Sequence, residues 1–158
     1  METANISEFK RELKHMPPEL LQEYLLRLAK YKKENKELLH YIIFESSDEQ
    51  NFIQTVKEEI DEQFKSLNRS SIYLAKKTLR KVLRTVRKYV RFSGNKETEV
   101  ELLIYFCLKM KSSGLRLNSS RIVMNMYINQ VRRIKQVLSS LHEDLQTDYE
   151  HDLQILLQ

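Results

Sequence analysis

Apolar residues return every three or four positions along almost the whole chain, and no stretch alternates apolar and polar residues long enough to mark a strand. Ile6 to His15 reads as a short first helix. Pro18 followed by Glu19 suits a first helical turn, where proline forfeits no hydrogen bond, and Leu21, Leu25 and Leu28 recur from there. The polar stretch Tyr31 to Glu37 reads as a turn or as a continuous exposed helix. Leu38, Leu39, Ile42 and Ile43 mark the next apolar stripe, which ends near Glu45. Ser47, with Gln50 three residues on, matches a capping box and predicts a helix that turns Phe52, Val56, Ile60 and Phe64 inward. Asn68 or Ser70 is placed to cap the following helix, which ends at Ser93-Gly94. Another helix runs from about Lys96 to Ser112 and stops at Gly114. Asn118 to Ser120 cap one from about Arg121 to Leu141, and the acidic tail either continues it or breaks near His142. Both glycines of the chain fall just past a predicted helix end, where the left-handed backbone favours glycine.

This pattern predicts an all-α domain covering residues 1–158, of roughly six to eight antiparallel helices, with 1–16 as a loosely attached N-terminal helix. A HEAT- or armadillo-like stack of helical hairpins is preferred over a closed bundle, because successive hairpins of similar length can present one long face. No repeat near a period of 40 supports it. A length of 158 residues suffices for one core. Met1 to Glu12 lacks the apolar segment of a signal peptide, and the longest apolar run, Leu102 to Leu108, cannot span a bilayer. A cytoplasmic protein with no transmembrane segment is expected.

Charge changes the picture more than composition does. The net value of +5 conceals a split: residues 63–142 hold 18 Lys or Arg and only Glu97, Glu99 and Glu101, so the rest of the chain is acidic. Leu74 to Gly94 carries eight bases and no acid. Numbered at 100° per residue from Leu79, Ile72, Ala75, Val82, Leu83, Val86 and Val90 fall within about 60° and form the inward stripe. Lys77, Arg80, Lys81, Arg84, Arg87, Lys88 and Arg91 fall on the opposite half. Five of them, Lys77, Arg80, Arg84, Arg87 and Arg91, make a column about 21 Å long.

Like charges three and four apart repel by a few tenths of a kcal/mol per pair, so the column needs a counter-charge. Glu58, Glu59 or Glu62 of the preceding helix is an internal candidate beside Lys76, Lys77 or Arg80, and the acidic tail is another. Nucleic acid is an external one: guanidinium groups suit bidentate phosphate contacts, and Tyr73 on the same face can stack on a base. Arg116, Arg121, Arg132, Arg133 and Lys135 extend the basic set. An acidic protein or an anionic membrane surface is the alternative. The expectation is a non-catalytic binding or adaptor protein, with Tyr73, Lys77, Arg80, Lys81, Arg84, Arg87, Lys88 and Arg91 as the binding residues.

Other chemistries find little support. Glu37 and His40 match Glu-x-x-His, but their helical phase turns them toward water and no second copy exists. Cys107 reads as a small buried hydrophobe. Two glycines leave no material for a phosphate-cradling loop, and no His joins a Ser or Asp in a triad pattern. No catalytic residue, metal or cofactor is expected. In "RIVMNMYINQVRRIK", Ile122, Met126, Asn129 and Arg133 share one face, and Val123, Tyr127, Val131 and Ile134 another. That helix is expected to be central in the core or, second, to meet a partner.

The segments "LAKYKKENKELLHYIIFE", "LAKKTLRKVLR", "TEVELLIYFCLKMK" and "SLHEDLQTDY" together resemble an uncharacterised bacterial family of small all-helical proteins. The resemblance covers most of the chain. It implies an intracellular bacterial protein and transfers no functional residue.

Overall fold

A computed structural model describes Met1–Gln158 and contains helices and no strands. The helices are α1 (Ile6–Leu13), α2 (Pro18–Tyr31), α3 (Lys33–His40), α4 (Glu49–Lys65), α5 (Ile72–Ser93), α6 (Lys96–Ser112), α7 (Arg121–Leu138) and α8 (Glu143–Leu157). A π turn covers Tyr41–Glu45 and a 3-10 turn Leu117–Ser119. No helix is long and apolar enough to cross a membrane. The chain divides into two compact units, Met1–Phe44 and Glu45–Gln158.

In the first unit α1 starts at a capping box, in which Asn5 and Glu8 each satisfy the other's backbone N–H. Pro18 opens α2 as expected. The polar stretch after it contains a break: Lys32 is extended, with φ −140° and ψ 145°, and separates α2 from α3. Asn35 Nδ2 donates to the Leu28 carbonyl across it at 2.8 Å. None of α1, α2 and α3 buries a residue.

The second unit holds the core. Phe52, Val56, Ile60 and Phe64 of α4 are all buried, as their spacing predicts. Asp48, one residue past the expected Ser47, caps α4 by accepting from Asn51 N–H. The basic helix starts at Ser71, whose hydroxyl accepts from Leu74 N–H, while Asn68 accepts from Ser70 and Ser71 and shapes the turn before it. Gly94 ends α5 at φ 65°, and Gly114 follows α6 at φ 82°. α7 ends at Leu138, earlier than expected, and His142 caps a separate α8.

α6 packs against α4, α5, α7 and α8. It buries Val100, Leu102, Leu103, Ile104, Phe106, Cys107 and Met110, apolar groups that spread around the helix, as a central helix requires. α7 buries the face of Val123, Tyr127, Val131 and Ile134 and leaves Ile122 and Ile128 exposed. Burial pushes the Cys107 thiol up to about 12. Because only the thiolate attacks thiol reagents, native Cys107 is expected to stay unmodified at pH 8 and to react at the rate of unfolding. Fast modification of the native chain contradicts this packing.

Candidate functional site

α5 is buried through Ala75, Leu79, Val82, Leu83, Val86 and Phe92. Two members of the expected stripe differ: Ile72 is 38% exposed, because it opens the helix ahead of the packed turns, and Val90 is only partly covered. The opposite side carries the cations. Tyr73 is 71% exposed, and Lys77, Arg80, Lys81, Arg84, Arg87 and Arg91 are exposed, with Lys88 half-buried.

Seven side chains line one open groove of about 530 Å³: Tyr73, Lys76, Lys77, Arg80, Leu83, Arg84 and Arg87. Five of the eight residues expected from sequence meet there. Lys81, Lys88 and Arg91 lie outside it. Lys76 and Leu83 join, and helical spacing contained the signal for both: Lys76 is three residues from Tyr73 and four from Arg80, and Leu83 is the stripe residue nearest the column. Lys88 sits over the Tyr89 ring, 4.5 Å from its centroid.

The counter-charge question has a geometric answer. No carboxylate lies within 4.0 Å of Lys76, Lys77, Arg80, Lys81, Arg84 or Arg87. Lys88 and Arg91 have partners. The acids of α4 are engaged elsewhere. Glu59 accepts from the Tyr89 hydroxyl at 2.6 Å, Glu62 pairs with Lys65, and Glu58 accepts from Gln54. Asp61 pairs with Lys109 at 2.9 Å and accepts from Tyr105. Lys57 pairs with Glu101 at 2.6 Å. Glu99 takes two hydrogen bonds from Arg133, which removes that arginine from the free basic set. Tyr149 of α8 donates to Glu97 and Glu101.

The reason is angular. α5 meets α4 through Thr85 and Tyr89, which contact Gln63 and Glu59. At 100° per residue those positions lie about 80–180° around the helix from Lys77, Arg80, Arg84 and Arg87. The acids of α4 therefore reach the tyrosine edge of α5, its C-terminal Ser93 and the cations of α6, and Lys77, Arg80, Arg84 and Arg87 are turned away from them.

Burial pushes the Asp61 carboxyl up, but hydrogen bonds from Lys109 and Tyr105 and the Lys109 charge outweigh it and hold Asp61 below its ordinary value. A lowered carboxylate stabilises the fold above its unfolded value, near pH 4, and that contribution fades as pH falls through the folded value. Melts between about pH 6 and pH 3 are expected to show Asp61→Asn losing less stability on acidification than the wild type. Parallel losses contradict the assignment.

No group of three or more His, Cys, Asp or Glu side chains is arranged to hold a metal ion. Comparison with protein-family models, curated proteins and solved structures gives no match. That result accords with a family without an assigned activity, and leaves the side-chain geometry to carry the functional reading.

Proposed function

We propose that this protein is a non-catalytic, cytoplasmic binding protein that takes nucleic acid along α5 through Tyr73, Lys77, Arg80, Lys81, Arg84, Arg87, Lys88 and Arg91. The observation that carries the reading is the set Lys77, Arg80, Lys81, Arg84 and Arg87, exposed cations on α5 with no carboxylate partner. Holding like charges at helical spacing costs stability on the isolated chain, and a bound polyanion reverses the sign of that term. Neutralised phosphates release counterions, which supplies the affinity and makes it salt-dependent. Arginine forks give bidentate contacts, and Tyr73 at the column's start offers a stacking surface. A HEAT- or armadillo-like stack of antiparallel helices fits this role. The next-but-one packing of α4 on α6 and of α6 on α8 supports it, since one layer of a stack brings alternate helices together.

An acidic protein is the second reading. Ile72 and Leu74, 38% and 43% exposed beside Tyr73, add apolar area that phosphate recognition does not use.

Titration of the full chain into labelled duplex and single-stranded oligonucleotides at about 50 mM salt tests the first reading. Binding to either form is expected. Tyr73→Ala should weaken the single-strand complex by about 1–3 kcal/mol and leave the duplex complex nearly unchanged. Absence of binding to both forms removes nucleic acid and leaves the acidic protein.

A further inference from the structure

We propose that residues 1–44 bind a second copy of this chain, through the apolar face that α2 shares with Leu39–Phe44. The proposal is independent of the nucleic-acid reading. Twelve of the chain's eighteen exposed large hydrophobics lie in these 44 residues, and Tyr41 is their only buried residue. A unit this small without a core is below the size that holds itself together. The chain reverses at Lys32, and Leu26 and Ala29 come to share an open groove with Leu39, Ile43 and Phe44, edged by Lys30, Lys32, Lys33, Lys36 and His40. Leu26, Ile43 and Phe44 are 48%, 59% and 65% exposed.

Charge chooses the occupant. A half-exposed side chain of this size offers on the order of 100 Å². The three such side chains that line the groove, Leu26, Ile43 and Phe44, present on the order of 300 Å² per copy, under the ~800 Å² per partner of a standard interface, so the association is weak and the charges beside the groove set its register. A two-fold interface must accept its own charges. This unit holds eight bases and seven acids, but the groove's own lining has four lysines and no acid, so self-docking needs the acids of α2 to meet those lysines. The charges are also polarised. Residues 16–26 carry only Glu19 and Glu23, whereas 27–36 carry Arg27, Lys30, Lys32, Lys33 and Lys36 against Glu34 alone. Lys33 pairs with Glu37 at 3.8 Å, and Lys30, Lys32 and Lys36 have no carboxylate partner. Two copies running in opposite directions set the basic end of one against the acidic start of the other, and paired hairpins of this kind close a four-helix core.

Sedimentation equilibrium of the full chain up to about 100 µM, the range expected for an interface of this size, is the test. A species of twice the 19.0 kDa chain mass is expected. Leu26→Glu with Ile43→Glu should weaken association at least tenfold, and Arg84→Glu should leave it unchanged. Lys30→Glu with Lys33→Glu should weaken it, and adding Glu19→Lys with Glu23→Lys to the same chain should restore it. Wild-type chain that stays monomeric at the highest concentration overturns the proposal, whatever the variants do. So does a dimer that withstands the groove substitutions.

Discussion

The double substitution Arg84→Glu with Arg87→Glu is expected to lower duplex affinity by on the order of a hundredfold at about 100 mM salt. Both side chains line the α5 groove, both are exposed, and neither has a carboxylate partner. Each phosphate a cation neutralises contributes about −0.9 to the slope of log affinity against log salt. The five cations that line the groove, Lys76, Lys77, Arg80, Arg84 and Arg87, alone give a slope near −4 to −5, and the double variant should lose about two of those units. The reversed charges add repulsion from the same phosphates, so the loss exceeds that of Arg84→Gln with Arg87→Gln. Filter binding or fluorescence anisotropy at four salt concentrations measures both quantities. An unchanged slope places the phosphates elsewhere on the molecule.

Phe106→Ala is the second large effect, and it acts on the fold. Phe106 is fully buried on α6, the helix that meets α4, α5, α7 and α8, and its ring lies 6.2 Å from that of Phe64. Removing a buried phenyl ring costs about 3–5 kcal/mol, from lost transfer energy and from a cavity that the neighbours only partly fill. A domain has about 5–15 kcal/mol in total, so this variant should unfold at a much lower denaturant midpoint. Tyr73→Ala, at a 71% exposed position, should stay within about 0.5 kcal/mol of wild type. Comparable losses at both positions contradict the placement of the core at α6.

Much of the helical order was legible in the chain because local rules and tertiary packing agree. The inward residues of α4 follow three-and-four spacing, most of the α5 stripe does too, and Gly94 and Gly114 both adopt the left-handed backbone past a helix end. Where several residues offer the same local chemistry, the choice was not legible. Asn68, Ser70 and Ser71 can each cap a helix, and the register of the preceding turn selects Ser71. Lys32 breaks the chain without proline or glycine, so nothing in its type announces the break. The centrality of α6 was hidden for the opposite reason: apolar residues around the whole helix blur the stripe that periodicity looks for.

At the candidate site, side-chain spacing alone was enough to draw the cationic column. It could not say where the acids of α4 would go. That depends on the rotation of α4 and α5 about their axes, which brings Glu59 to Tyr89 and Asp61 to Lys109 rather than to Arg80 or Arg84. Such rotations are set by how the inward side chains interlock and leave no local mark in the sequence.

The central claim is that the α5 cations from Lys76 to Arg87 stand without internal counter-charge. Thermal unfolding of the wild type and of Arg84→Glu with Arg87→Glu, compared from about 20 mM to 500 mM salt, tests it without any ligand. Relief of like-charge contacts, together with new pairs to Arg80, Lys88 and Arg91, should make the variant more stable at low salt by up to about 1 kcal/mol, a few degrees in Tm. That advantage should shrink as salt screens the charges. A variant that melts below the wild type at low salt and approaches it at high salt would mean that these arginines were already paired within the molecule.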